Sequence, residues 1–188
     1  LGIASALYDN ASGWPVLRDA FKEATLGSGE SFLTLADQYA GRQKNGSYLS
    51  NENDALQVID CLDQSELETV AAYKKGVAEF SEQAPIFGPY LAYSGLACRY
   101  LPNLSSVEQI EIKKLSTKPI LIVGTTRDPA TPYKWAQSLT KIFGGSVLIT
   151  FDGDGHTGHG RGSTCVDSAV DRYLLTGTMP KSELFCAR

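Results

Sequence analysis

Two residues of this chain carry side chains that together move protons: Asp128 and His156, 28 positions apart. A carboxylate bonded to an imidazole fixes its tautomer and stabilises the imidazolium. The imidazole, with an ordinary pKa near ~6.5, can take and return the proton of a hydroxyl nucleophile. The chemistry is then nucleophilic catalysis by a hydroxyl, with Asp128 and His156 as second and third members of a triad. Each residue alone has a plainer reading, since an aspartate after a strand often caps a turn and a histidine among glycines often sits solvated in a loop. His159 is a rival imidazole, and His156-x-x-His159 with Asp128 or Asp154 is a conceivable metal set. Gly155, Gly158 and Gly160 surround both histidines, so no helix fixes their spacing, and no metal or cofactor is assigned. These glycines also lack the GxGxxG order of a phosphate cradle.

The elements that must position the pair are legible around it. Residues 119–124, Pro-Ile-Leu-Ile-Val-Gly, form the short apolar run expected of a parallel strand buried on both faces. Thr131-Pro132 reads as the N-cap and first residue of a helix with Trp135, Ala136, Leu139, Ile142 and Phe143 on its apolar stripe, ended by Gly144-Gly145. Ser146 to Phe151 follows as a second strand, then a glycine-rich loop from Asp152 to Gly162. A helix over 165–175 turns Val166, Ala169, Val170 and Tyr173 inward and stops at Gly177 and Pro180. Two strands joined by one helix lie parallel with a right-handed connection, which brings their carboxyl ends to one rim. Asp128, about four residues past the first strand, and His156, about five past the second, then occupy neighbouring loops on the rim where ligands gather.

Upstream the pattern is helical. Trp14-Pro15 opens a helix with Leu17, Ala20, Phe21 and Ala24 on one face, and Gly27 and Gly29 end it. Further short helices are expected over 31–39, 53–61 and from Ser65 toward Phe80, with Pro85, Gly88 and Pro89 breaking the pattern. The polar stretch Asn103–Ser106 is the candidate boundary, dividing a helical region 1–104 from an α/β region 105–188. The 188 residues, 43% hydrophobic and 20% charged, exclude wholesale disorder. A net charge of −4 without a basic run gives no footprint for nucleic acid. No apolar stretch approaches the ~20 residues of a membrane span. Leu1–Asn10 lacks the basic n-region of a signal peptide, so an export signal, if there is one, is expected upstream of Leu1.

Cys61, Cys98, Cys165 and Cys186 lie at least 21 positions apart, which excludes zinc-ribbon and CxxC spacings. Of three possible connectivities, Cys61 with Cys98 and Cys165 with Cys186 closes the more modest loops, each within one half of the chain. Four free thiols in a reducing compartment are the open alternative.

Several stretches together resemble a known family. They are Gly124-Thr125-Thr126-Arg127-Asp128-Pro129-Ala130-Thr131-Pro132, Asp152-Gly153-Asp154-Gly155-His156-Thr157, Cys165-Val166-Asp167 and Tyr173-Leu174-Leu175-Thr176-Gly177-Thr178-Met179-Pro180. They are similar to the C-terminal part of the TAP-like, or tripeptidyl-aminopeptidase-like, α/β-hydrolases, serine peptidases related to proline iminopeptidases. Upstream, Ala36–Tyr39, Val58–Asp63, Ala84–Gly88 and Gly95–Cys98 extend the likeness over most of the chain. The resemblance implies an α/β class and a partial α/β-hydrolase fold, with a helical cap (1–104) followed by a β-α-β-α parallel-sheet segment (105–188). It implies Asp128 as triad acid, His156 as triad base, a peptide substrate, and a secreted or cell-envelope location. That location favours disulfides, with Cys61–Cys98 pinning the cap and Cys165–Cys186 pinning the last helix. It transfers no role to His159.

Acid before histidine late in the chain is the hydrolase order, and the nucleophile of that order sits on a Gly-x-Ser-x-Gly elbow. No such motif occurs here. Ala92-Tyr93-Ser94-Gly95-Leu96 lacks both flanking glycines and a preceding buried strand, which leaves Ser94 a structural role. The expectation is therefore a C-terminal portion of a hydrolase, with the serine on a missing N-terminal half before Leu1, inactive alone. The strand from Ile120 is expected to keep an open edge, which leads to self-association. A non-catalytic binding or assembly module with a hydrolase-like half fold is the alternative function, and a metal module at His156 and His159 a third.

Overall fold

The computed structural model describes residues 1–63, 68–101, 115–116 and 118–187. By contact density the chain forms two compact units, Leu1–Ser47 with Ile112–Arg188, and Tyr48–Glu111. The first 47 residues thus group with the strand-bearing segment, not with the helices that follow them. Asn103–Ser106 lies outside the described residues.

The first unit is built on a parallel sheet of order β2-β4-β5. Strand β2 (Leu121–Arg127) pairs with β4 (Val147–Asp154), and β4 with β5 (Leu184–Ala187). A separate pair of two-residue strands joins β1 (Leu115–Ser116) to β3 (Phe143–Gly144). Helix α7 (Tyr133–Ile142) crosses from β2 toward β4, and α8 (Thr164–Thr176) crosses from β4 to β5. The core holds Ile149 and Phe151 from β4, Val166 from α8 and Cys186 from β5, with Val123, Ala169, Val170 and Leu184 packed against it. Ile149 and Val166 are fully buried, and each such side chain contributes ~1.5–3 kcal/mol of transfer free energy. Gly124 is required where α7 crosses β2, because a Cβ there would stand 2.7 Å from the Ala136 Cβ.

Three differences from the sequence reading bear on the site. Strand β4 runs on to Asp154 rather than ending at Phe151, because the Arg127 guanidinium binds both Asp152 (2.6 Å) and Asp154 (2.5 Å) and holds the strand ends together past a register shift after Thr125. Helix α7 begins at Tyr133, one residue later than expected. Pro132 keeps an extended ψ of 136°, and Thr131 spends its hydroxyl on Asp128 instead of capping the helix. Trp135 and Leu139 are half exposed beside β2 instead of buried. Strand β5 has no periodic signal, being four residues long after Pro180.

The N-terminal part of this unit is three helices, α1 (Gly2–Leu7), α2 (Gly13–Thr25) and α3 (Glu30–Ala40). Leu17 and Ala20 face inward from α2, and Gly2 lets α1 approach α3, since a Cβ there would meet the Phe32 carbonyl at 2.6 Å. Helix α1 lacks the length for an amphipathic period and is missed by pattern reading.

The second unit contains α4 (Glu52–Leu62), α5 (Val70–Gln83), α6 (Gly88–Leu91) and a 3-10 helix (Leu96–Tyr100). Thr69 caps α5 by accepting from the Ala72 amide, so the helix begins at Val70, and the expected start at Ser65 lies outside the described residues. A disulfide from Cys61 to Cys98 ties α4 to the 3-10 helix. The other disulfide, Cys165 to Cys186, ties the start of α8 to β5 in the first unit. Among the described residues no helix is long and apolar enough to cross a membrane.

Candidate active site

Asp128 follows β2 directly and His156 comes two residues after β4, so strand pairing alone delivers both to one rim. The His156 Nδ1 lies 3.0 Å from Oδ1 and 2.9 Å from Oδ2 of Asp128. An ionised carboxylate only accepts, so Nδ1 carries the proton and Nε2 is left as the basic nitrogen.

The carboxylate is held from several sides. Its Oδ1 accepts from the amides of Ala130 and Thr131, both at 2.8 Å, in an Asx turn. Its Oδ2 accepts from the Thr131 hydroxyl at 2.9 Å and the Thr157 amide at 3.1 Å. The turn-residue reading of Asp128 and the proton-relay reading therefore describe the same side chain. Only 3% of it is exposed. Burial works against its ionisation, but the bonds from Thr131, Ala130, His156 and Thr157 outweigh that and bring its pKa down to about 2.

The loop carrying His156 takes a shape few residues allow. Gly155 has φ 100°, and a Cβ there would stand 2.7 Å from the Tyr8 carbonyl. Thr157 has φ 71°, a left-handed conformation that is costly for a β-branched residue. It is held by its amide on Asp128 and by its carbonyl, which accepts from the Thr125 hydroxyl at 2.9 Å. The His156 amide donates to the Tyr8 carbonyl at 2.9 Å, and the two rings lie 5.0 Å apart. Beside Asp128 a cavity of about 360 Å³ runs along β2, lined by Ile122, Gly124, Asp128, Trp135, Leu139 and, from the histidine loop, His159.

The remaining candidates separate. His159 bonds Asp171 on α8 through Nε2 at 2.9 Å, in a pair that is about half exposed. Each imidazole thus has its own carboxylate. Among the described residues no three His, Cys, Asp or Glu side chains gather as metal ligands. Ser94 lies in a turn of the second unit, its amide on the Leu91 carbonyl at 3.0 Å. Sequence reasoning missed Thr131 and Tyr8. The Asp-x-x-Thr spacing of 128–131 is a turn signal that could have found Thr131, whereas nothing local marks Tyr8.

A parallel strand-helix-strand frame, with an acid after one strand and a histidine after the next, fits part of an α/β-hydrolase. The model of the family described as TAP-like protein matches residues 84–186, and the chain belongs to that family. It is 32% identical over 99% of its length to the serine protease Hip1 of Mycobacterium tuberculosis, and 35% identical over 99% to that organism's carboxylesterase B. It is 26% identical over 96% of its length to the tripeptidyl aminopeptidase of Streptomyces lividans. The chain spans about a third of the length of these curated relatives, 36%, 36% and 33%.

Proposed function

We propose that this chain supplies the acid and the base of a serine hydrolase, Asp128 holding the His156 imidazole and Nε2 relaying the proton of a serine hydroxyl. The observation that carries the reading is the buried carboxylate, held by amide and hydroxyl donors and set against Nδ1 at 2.9 Å. The serine belongs to a segment outside these 188 residues, because the sequence has no Gly-x-Ser-x-Gly elbow. That segment would lie along β2, whose outer edge has no partner strand among the described residues and is flanked by the cavity with Trp135 and Leu139. The reaction is acyl transfer to serine and then to water, with loss of the amine or alcohol leaving group.

Peptides are the proposed substrates, with release from the amino terminus as in an aminopeptidase. The relatives named as a protease and a tripeptidyl aminopeptidase support this. The relative named as a carboxylesterase supports an ester substrate as the second reading. An exported location fits the two disulfides, which persist in oxidising compartments. The helices before residue 104 are proposed as part of a cap. By itself the chain is proposed to be inactive and to self-associate through the β2 edge, which light scattering would test: a monomer at every concentration rejects that part.

A fluorophosphonate probe applied to the full-length protein tests the main reading. Labelling of one serine, lost in His156→Ala, is expected. Absence of labelling in a folded full-length protein would favour a non-catalytic assembly module instead.

A further inference from the structure

We infer that the corner Tyr8–Asp9, at the end of α1, is the clamp that aims the His156 imidazole, with Tyr8 and Asp9 as positioning residues for the base. The inference rests on the reading of His156 as base. The evidence for the clamp is separate from the Asp128 contact.

Four observations converge on this corner from a point some 150 residues earlier in the sequence. The Tyr8 carbonyl accepts the His156 amide at 2.9 Å. The same carbonyl lies so near Gly155 that a Cβ there would stand 2.7 Å away, so the loop has closed onto it as far as backbone allows. The Tyr8 ring sits against the imidazole at 5.0 Å, tilted by 47°. Asp9 then reaches the far end of the loop, its Oδ2 accepting from Arg161 Nη1 at 3.1 Å, while Arg161 Nε donates to the Thr157 hydroxyl at 3.4 Å. The loop is gripped on both sides of the imidazole.

The corner is itself fixed. Asp9 Oδ1 accepts from the amides of Ala11 and Ser12 at 2.8 and 3.1 Å, which orients its other oxygen toward Arg161. The Tyr8 hydroxyl shares a hydrogen bond with Tyr39 of α3 at 3.3 Å. That bond, with burial and the nearby Asp128 charge behind it, pushes the phenol up to about 12, so the ring stays neutral beside the imidazole. An Asp128 contact alone leaves the ring free to swing about one hydrogen-bonded edge. The ring contact and the amide bond remove that freedom, which is what a base needs when its other nitrogen must meet a hydroxyl.

The test uses the 188-residue chain and reads the imidazole, not turnover. Diethylpyrocarbonate modification of His156 is followed with His159, which the clamp does not touch, as internal control. Tyr8→Leu, which removes the ring contact but keeps the carbonyl, and Arg161→Gln, which removes the ion pair to Asp9, are each expected to speed His156 modification about fivefold and to leave His159 unchanged. Tyr8→Phe, which keeps the ring but loses the hydroxyl bond to Tyr39, is expected to fall between the parent and Tyr8→Leu. Arg161→Lys, which keeps a cation for Asp9 and leaves the Asp9 turn intact, is expected to stay near the parent rate. Unchanged His156 rates in folded Tyr8→Leu and Arg161→Gln overturn the clamp, and so does an equal rise at both histidines, which marks general loosening. Should Tyr8→Leu fail to fold, Arg161→Gln compared with Arg161→Lys carries the same decision. Failure of the hydrolase reading would be seen elsewhere, as a full-length His156→Ala protein that keeps its probe labelling.

Discussion

The pairs Asp128–His156 and Asp171–His159 have the same 2.9 Å nitrogen–oxygen separation and opposite surroundings. In the first the carboxylate is 3% exposed and the imidazole 29%. In the second the figures are 57% and 49%. Asp128 also accepts from two backbone amides of its own turn and from a third on the histidine loop, while Asp171 projects from a helix into solvent. Separation therefore does not distinguish a proton relay from a surface contact. The donors around the acid and the exclusion of water do, because a pair in high dielectric gains little that side-chain entropy does not cancel.

The largest expected effect concerns turnover. In the full-length protein, His156→Ala and Asp128→Asn are each expected to lower kcat by about 10⁴-fold, and His159→Ala by less than about threefold, measured with a chromogenic ester. Equal losses at both histidines would erase the contrast.

Stability comes next. Asp128→Ala deprives three amides, a hydroxyl and an imidazole of their acceptor and is expected to cost about 3 kcal/mol in urea unfolding. Asp171→Ala is expected to change stability by less than about 0.5 kcal/mol.

Acid should act on the buried pair in a defined window. Because the folded-state pKa of Asp128 is depressed from 3.8 to about 2, its stabilisation is fully present above the ordinary carboxylate value and is lost as pH falls through about 2. Asp128→Asn should flatten that acid limb of the unfolding curve, and an unaltered limb would place the acid sensitivity elsewhere. A smaller effect than that of Asp128→Ala is expected from Thr131→Val, which removes one hydroxyl from Oδ2. About 1 kcal/mol of stability is lost and the Asp128 titration moves upward, a shift readable from the His156 ring signals.

The acid turn was legible in the sequence, and the histidine loop only half so. Asp128 is anchored by residues two and three positions on, and Asp-Pro-Ala-Thr is a local pattern with a local cause. The apolar run before it and the crossover helix announced the rim. His156 was found by type and spacing, but its support comes from Tyr8, Asp9 and Thr125, which only the folded chain brings near. The extension of β4 to Asp154 was hidden for the same reason. Asp-Gly-Asp-Gly reads as a turn until Arg127 from another strand neutralises both carboxylates. The short strand β5 carried no period to read, although pairing Cys165 with Cys186 already placed its neighbourhood beside α8.

Thr157 ties the shape of this loop to the sheet. Its left-handed backbone is unfavourable on its own, and the two bonds that hold it, to Asp128 and Thr125, come from a strand some thirty residues away. The loop has no reason to adopt its native shape until β2 and β4 have paired. The native position of the imidazole beside its carboxylate thus depends on the pairing of β2 with β4, not on the loop's own sequence.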